Sequence, residues 1–597
     1  MSRIAGLVPA PDRHAVDTML AAMTGHVVTT RDVRLSGRTA LGVLGWREPN
    51  LADDGNVSTA VDSTLWRASD VIALYRRHGF VDALAHLDGD FAVALYDAAT
   101  GTLWLARDRF GMKPLYYTRS GERFAFASRP RALLALDGVS REPNRAFVAR
   151  FAGMHYRTFD NEPRESPYAA IAQLPAASYL EVRDGKLREA TYWALTEQPD
   201  LDEPEPVLAE RYRELLVDAV ARRRKLAHRP AFTLSGGMDS SSVLACAVHT
   251  TAKREHAFST VYHDETYDET DQIRTILDAT VEEWHPVRIG NPDLGALIPK
   301  MIAANDEPIA TATWLSHYLL CEATASAGFA TLFGGLGGDE LNAGEYEYFF
   351  YFFADLAASG ETAKLDHETA KWVEYHDHPI FKKTPAVMRA GLERLVDLKT
   401  PGKCLPDPTR LARYRELVRR DYVDLAGYVP VMETPFTSYL KNRTYQDIFR
   451  ETAPCCLRAA DRQTTAFGID VSWPFFDHRL AELMFRVPST LKIRNGVTKH
   501  LLRDAMRGIL PDQTRTRIQK TGWNAPAHVW FATGSGRELV LDLIGSRAFA
   551  ERGIYDVSAV RRLLDEHRDI VVEGRPVDNH MMFFWQLVNL ELWLRAL

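Results

Sequence analysis

Leu234-Ser235-Gly236-Gly237-Met238-Asp239-Ser240-Ser241-Ser242-Val243 is the stretch from which the rest of the chain can be read. An apolar run, Ala231 to Leu234, precedes it and reads as a short buried strand. Val243 to Val248 follows and reads as the buried start of a helix. A strand, a two-glycine turn and a helix opening on Asp and three serines suit phosphate. Glycine lets the backbone turn tightly, and the first N–H groups of a helix, with its dipole, favour an anion. Ser235, Ser240 and Ser241 add hydroxyl donors, Gly236 and Gly237 make the turn, and Leu234 closes the strand. Asp239 is anionic, so it belongs beside phosphate only with a magnesium ion between them. The bland alternative is a serine-glycine turn that merely caps a helix.

The full SGGMDSS string lacks the GK[ST] ending of a Walker loop, which argues against a lysine acting on the γ-phosphate. It resembles the pyrophosphate loop of the N-type ATP pyrophosphatases, which split ATP between the α and β phosphates and adenylate a substrate. ATP and Mg2+ are the cofactors this resemblance implies.

At 597 residues, two or three domains are expected. With 46% hydrophobic and 25% charged residues the composition is that of an ordinary globular protein, and the net charge of −7 argues against general binding to nucleic acid or anionic membranes. The basic run Arg222-Arg223-Arg224-Lys225 ends a helix expected from about Pro206, where cations complement the dipole. Cys246, Cys321, Cys404, Cys455 and Cys456 show no metal spacing, and an odd count fits a reducing compartment. No signal sequence opens the chain, and the most apolar run, Tyr346 to Phe353, is too short to cross a bilayer. A cytoplasmic location follows as the expectation.

Residues 1 to about 200 read as β-rich, with alternating strands at Ala40–Trp46, Asp90–Tyr96, Gly101–Arg107, Pro114–Thr118 and Arg123–Ala127. Three blocks, Leu87 to Asp97, Ala106 to Tyr117 and Phe124 to Ser128, are similar to the class II glutamine amidotransferase domain of asparagine synthetases. The fold implied is an α+β sandwich of Ntn type. The family's chemistry needs a cysteine after the initiator methionine, whose thiol attacks glutamine while the α-amine acts as base. This chain begins Met1-Ser2-Arg3-Ile4-Ala5-Gly6. The family's His-Arg-Gly-Pro-Asp turn is replaced by Gly25-His26-Val27-Val28-Thr29-Thr30, and its oxyanion segment by Asp54-Gly55-Asn56-Val57-Ser58-Thr59-Ala60. Ser69-Asp70 survives but reads as structural. The domain is expected to be a retained scaffold without glutaminase activity.

A linker is expected at Glu197 to Pro206, with three prolines and five acidic residues. Beyond it, strands at Ala231–Leu234, Ala257–Tyr262, Trp284–Ile289 and Phe329–Phe333 alternate with helical stretches such as Thr270–Thr280 and Trp314–Ala327. That alternation predicts an α/β doubly wound parallel sheet, which binds ligands beyond the carboxyl ends of its strands. The domains expected are 1–200 and 207–597, the second carrying a helical insertion at 345–450 that covers the sheet or encloses a larger acceptor.

Asp268-Glu269 and Asp306-Glu307 stand where asparagine synthetases carry acids, with helix capping as the alternative for the first pair. Leu332 to Leu341 places four glycines, Gly334, Gly335, Gly337 and Gly338, before Asp339-Glu340, a costly turn that suits close approach of backbone to ligand. It is similar to the family's Ser-Gly-Glu-Gly-Ala-Asp-Glu signature, and by that resemblance Asp339 joins Asp239 as a magnesium ligand. Where asparagine synthetases have a glutamate and β-lactam synthetases a tyrosine, this chain has Leu336, which accepts no proton. Glu345, Tyr346 and Glu347 are the nearest candidates for a base.

Resemblance returns at Asp461 to Gly468, Trp473 to Asp477, Thr498 to Arg503 and Arg517 to Trp523. Lys499 is implied as a nucleotide ligand and Lys520 as the catalytic lysine, whose ammonium would stabilise negative charge developing in both half-reactions. Met581 to Leu597 reads as a packing helix. The whole implies an ATP-dependent ligase of the asparagine synthetase superfamily. It would adenylate the carboxylate of a small molecule or peptide and condense it with an amine without hydrolysing glutamine, as β-lactam synthetases and lasso-peptide cyclases do in specialised metabolism. The alternatives are an ammonia-dependent asparagine synthetase and a non-catalytic nucleotide-binding partner. Oligomeric state is open, a homodimer included.

Overall fold

The structure is a computed structural model that describes every residue except 1, 26–28, 47, 265, 379 and 520–524. Lys520 therefore lies outside the described residues, as do His26 to Val28 of the replaced glutaminase turn.

Residues 2–191 build two six-stranded sheets packed face to face. In one, Ser2–Val8 lies between Thr39–Gly45 and Arg123–Ala127; in the other, Phe91–Asp97 lies between Val57–Ser63 and Thr102–Arg107, all antiparallel. Inward residues such as Ile4, Val43, Ala92, Leu105 and Phe126 interleave into one fully buried layer. Both strand faces are covered, because helices close the outer sides. Arg13–Met23 lays Val16, Met19 and Leu20 on the first sheet and Ala68–His78 lays Val71 on the second. A Cβ on Gly42 would come within 2.4 Å of Val16, so the bare backbone there lets the first helix sit close.

The second half is a five-stranded, wholly parallel sheet in the order Val281–Ile289, Glu255–Tyr262, Pro230–Thr233, Thr331–Phe333, Asp470–Ser472. Both halves thus have the α/β classes expected from the sequence. The fifth strand was not foreseen. Asp470–Ser472 is too short and polar to announce itself, and it exists because Val471 pairs with Leu332 on the neighbouring strand. Pro230–Thr233 and Thr331–Phe333 are adjacent, and the chain winds outward from them in opposite directions. Their carboxyl ends are therefore the topological switch point, where a doubly wound sheet opens a crevice.

Residues 193–204 carry no helix or strand and run along the second half, where Leu201 N–H donates to Arg486 O at 2.8 Å. Between 345 and 450, the helices Tyr348–Ala358, Thr362–His376 and Pro385–Leu395 gather around Phe349, Phe353 and Trp372 in an apolar core of their own. The closing helix, Met581–Ala596, packs on Arg145–Gly153, and Trp585 Nε1–H donates to Ile309 O at 2.8 Å. Among the described residues no helix is long and apolar enough to cross a membrane.

The two halves meet along the helix Thr452–Ala466, which carries a buried charge seam. Glu307 bridges Arg458 at 2.6 Å and Arg462 at 2.8 Å, while Asp306 takes Arg129 at 2.9 Å. Asp306 and Glu307, which stand where asparagine synthetases carry acids, serve this seam. Both follow the helix Leu294–Asn305, and it is the end of that helix, not of a strand, that aims them. Burial favours their neutral forms, but the surrounding guanidinia prevail and hold both carboxyls below the usual range.

Candidate active site

The first turn leaves Pro230–Thr233 with Leu234 N–H donating to Phe258 O at 2.9 Å. Ser240 Oγ accepts from Ser235 N–H at 3.2 Å, and Ser235 Oγ accepts from Gly237 N–H at 3.3 Å, so the turn is stitched by its own hydroxyls. Gly236 has φ +69°, and a Cβ there would lie 2.8 Å from the backbone of Gln272. Its carbonyl accepts from Arg517 at 3.0 Å. The helix Met238–Thr251 starts with Gly237 as its cap, and its opening N–H groups lack intrahelical partners. An anion is favoured there.

The second turn, after Thr331–Phe333, packs directly against the first. A Cβ on Gly335 would sit 2.5 Å from Ser240 N, one on Gly338 would sit 2.4 Å from the Asp239 carboxyl carbon, and one on Gly344 would sit 2.0 Å from Asp339 Oδ1. These glycines clear the space in which two carboxylates 100 positions apart in sequence converge. Lys499 marks the point of convergence. Its Nζ lies 2.5 Å from Asp239 Oδ2 and 2.7 Å from Asp339 Oδ1. Lys499 itself has φ +59°, a left-handed conformation that costs a non-glycine residue about 1–2 kcal/mol. Such an outlier is retained where the surroundings over-determine it.

Around this triad is a cavity of about 230 Å3 with Phe258, Trp473 and Leu320 among its apolar walls and Glu269, Arg503 and Arg517 among its charged ones. Burial pulls the Arg503 guanidinium down to about 10 and lowers that of Arg517, yet both remain cationic at neutral pH. His317 is buried to the point that its imidazole titrates near 4, so it is neutral and hydrogen-bonds Gln463 at 2.7 Å. Two carboxylates that already grip a cation, with room kept open by glycine, fit Mg2+, a hard ion that prefers oxygen donors.

Leu234, Ser235, Gly237, Asp239, Ser240, Gly335, Asp339 and Lys499 all line this cavity. Gly236 does not, and lies behind the turn against Gln272. Gly337 lines the neighbouring cavity. Ser241 is a correction: it is fully buried, because one step along a helix turns a side chain about 100° away from its predecessor. Asp268 accepts from Thr270 Oγ1 at 2.9 Å, while Glu269 lines the cavity. Glu347 is also a correction. As a base it is saturated, since it pairs with Arg157 and, at 2.6 Å, with Arg410. Glu345 and Tyr346 line the neighbouring cavity. Sequence reading missed His317, which sits on the helix Thr313–Ser326 with nothing in the local pattern to mark it. The basic run does more than complement a dipole: Arg222 meets Asp477 at 2.9 Å and Arg224 meets Glu255 at 2.8 Å.

In the first half, Ser2 is buried and paired with Gly45 at the start of its strand. Arg3 beside it is fully buried and bridges Asp62 at 2.5 Å and Asp461 at 2.8 Å, with Lys113 adjoining Asp62 at 3.8 Å. Asn56 is exposed at the tip of the hairpin joining Leu51–Asp53 to Val57–Ser63. Asp70 accepts from Arg67 N–H at 3.1 Å and so caps a helix.

A family model described as asparagine synthase matches residues 211–595, and one described as a glutamine amidotransferase domain matches residues 60–193. The chain is similar to asparagine synthetase [glutamine-hydrolyzing] 1 of Bacillus subtilis, 25% identical over 88% of this chain and 81% of that protein. It is similar to asparagine synthetase [glutamine-hydrolyzing] 3 of the same organism, 25% identical over 75% and 69%. It is also similar to the amidase chry2 of Gibberella zeae, 25% identical over 83% and 78%.

Proposed function

With the chain a member of the asparagine synthase family and an enzyme of ligase type, we propose that it forms amide bonds at the expense of ATP without hydrolysing glutamine, in specialised metabolism. The observation that carries the reading is the meeting of Asp239, Asp339 and Lys499 at the switch point of the sheet. In the first step a carboxylate oxygen of the acid bonds to the α-phosphorus and pyrophosphate leaves. In the second, an amine nitrogen bonds to the acyl carbon, AMP departs with the former carboxylate oxygen, and the nitrogen gives up a proton.

The turn 235–240 and the opening N–H groups of its helix bind the phosphates. Arg503 and Arg517 add positive charge to a cavity whose walls include Phe258, Leu320 and Trp473, and a charge beside apolar walls acts more strongly than one in bulk water. Asp239 and Asp339 would hold Mg2+, which when bound neutralises charge on the departing pyrophosphate. Lys520 is proposed as the ammonium at the reacting carbonyl. The absence of glutaminase chemistry is supported by a hydroxyl at Ser2 in place of a thiol, by Asp54, a carboxylate paired with Arg76 at 2.9 Å, heading the stretch that replaces the family's oxyanion segment, and by Arg3 bridging Asp62 and Asp461 in the adjacent interior.

The test incubates the purified chain with MgATP, a panel of carboxylic acids, and either ammonium, hydroxylamine or glutamine. Acid-dependent release of AMP and pyrophosphate is expected, reduced at least about 100-fold in Asp239→Asn and Asp339→Asn. Glutamate released from glutamine, or ADP formed in place of AMP, would overturn the proposal.

A further inference from the structure

Behind the glycine turn a second cavity of about 470 Å3 shares Trp314, Gly335, Leu336 and Asp339 with the cavity around the triad. The two cavities thus adjoin at Gly335, Leu336 and Asp339, so a carboxylate held in the second would lie next to the first. Its size falls in the range that encloses drug-sized ligands and far exceeds what a four-carbon amino acid fills. Much of its surface is apolar or soft: Leu336, Tyr156, Cys455, Cys456, Met581 and Met582. Trp585 adds only its ring face, because its N–H is engaged by Ile309 O.

Among the described residues the cavity's cationic lining is Arg157 and Arg410 and its acidic lining Asp339, Glu340 and Glu345, and both guanidinia are already engaged, Arg157 by Asp447 at 3.1 Å and Arg410 by Glu347 at 2.6 Å. Two paired guanidinia against three lining carboxylates leave no surplus cation among the described residues of the cavity. His155 adds none, since burial and the nearby Arg410 and Arg157 hold its imidazole well below the usual range. A second carboxylate on the occupant would be buried without a counter-charge, which is strongly unfavourable.

We propose that the acid activated here is a bulky monocarboxylate with an aromatic or branched apolar body, not an aspartate-type dicarboxylate. The inference rests on the ligase reading above and assigns its substrate class. Leu336 then has a positive role: at the position where a polar residue would face the acid, it continues the apolar wall. Met581, Met582 and Trp585 are supplied by the closing helix, and Tyr156 by the first half, so the pocket is complete only when the two halves are joined.

The test measures acid-dependent ATP–pyrophosphate exchange with two sets of probes, aspartate and glutamate against 3-phenylpropanoate, indole-3-propanoate and N-acetylphenylalanine. At least 10-fold higher kcat/KM is expected for a member of the second set. Met582→Trp, which fills the cavity, is expected to raise KM for that acid at least 10-fold while the calorimetric Kd for MgATP stays unchanged. Exchange with aspartate or glutamate alone overturns the inference and leaves the ligase reading standing. MgATP binding with no probe active also overturns the inference, and failure to bind MgATP overturns both.

Discussion

Gly338→Ala is the substitution that isolates the geometry of the triad from the stability of the fold. Gly338 opens the short helix Gly338–Asn342 and does not have a positive φ, so the backbone accepts alanine and gains about 1 kcal/mol of helix propensity. The added Cβ, however, falls 2.4 Å from both Cγ and Oδ1 of Asp239, and ordinary contact begins at 3.4 Å. The carboxylate must withdraw by about 1 Å. A displacement of that size at a reacting or ligating group costs about 100-fold, or about 2.7 kcal/mol. Calorimetry should therefore find MgATP bound 10- to 100-fold more weakly. Binding of ATP in the presence of EDTA should change much less, because the glycine turn and helix terminus are untouched. Thermal unfolding should stay within a few degrees of the parent. A variant that keeps both its melting point and its MgATP affinity would refute the claim that Asp239 ligates the metal.

Three further outcomes are expected. Glu307→Gln leaves the fully buried Arg462 with Asn305 O and Tyr116 OH but without its carboxylate, and should lower stability by about 3–5 kcal/mol in urea titrations. His317 titrates near 4 in the folded chain and near 6.5 when unfolded, so between those values the unfolded chain binds more protons and stability falls as pH drops. His317→Asn should flatten the unfolding profile between pH 4.5 and 6.5, by on the order of 3 kcal/mol at most. Ser2→Cys should release no glutamate from glutamine, because a thiol alone does not restore the oxyanion segment, where Asp54 is an acceptor paired with Arg76.

Much of the architecture was legible because it is written locally. Thr270–Thr280 and Arg123–Ala127 have the predicted ends, since their apolar spacing and their turn residues lie within the segment itself. Asp470–Ser472 was illegible because a three-residue strand carries no period, and only Leu332 opposite Val471 makes it one. The same distinction runs through the site. Gly236 and Gly237 were readable as a turn, whereas the inward rotation of Ser241 depends on which face of its helix the sheet covers. Glu347 read as a candidate base and Asp306-Glu307 as a pair of family acids, and guanidinia from distant parts of the chain claim all three.

Sequence by itself determined the chemistry available: a phosphate turn, a second glycine turn with its acids, a serine where a thiol is needed, and Leu336 where a base is usual. It did so because glycine, carboxylate and thiol act through properties of single residues and their neighbours. Tertiary structure decided which acids face one another, that Lys499 stands between Asp239 and Asp339, and that a large apolar cavity opens behind the turn. Those are distances between segments 100 or more residues apart, and only the packing of the sheet at its switch point sets them.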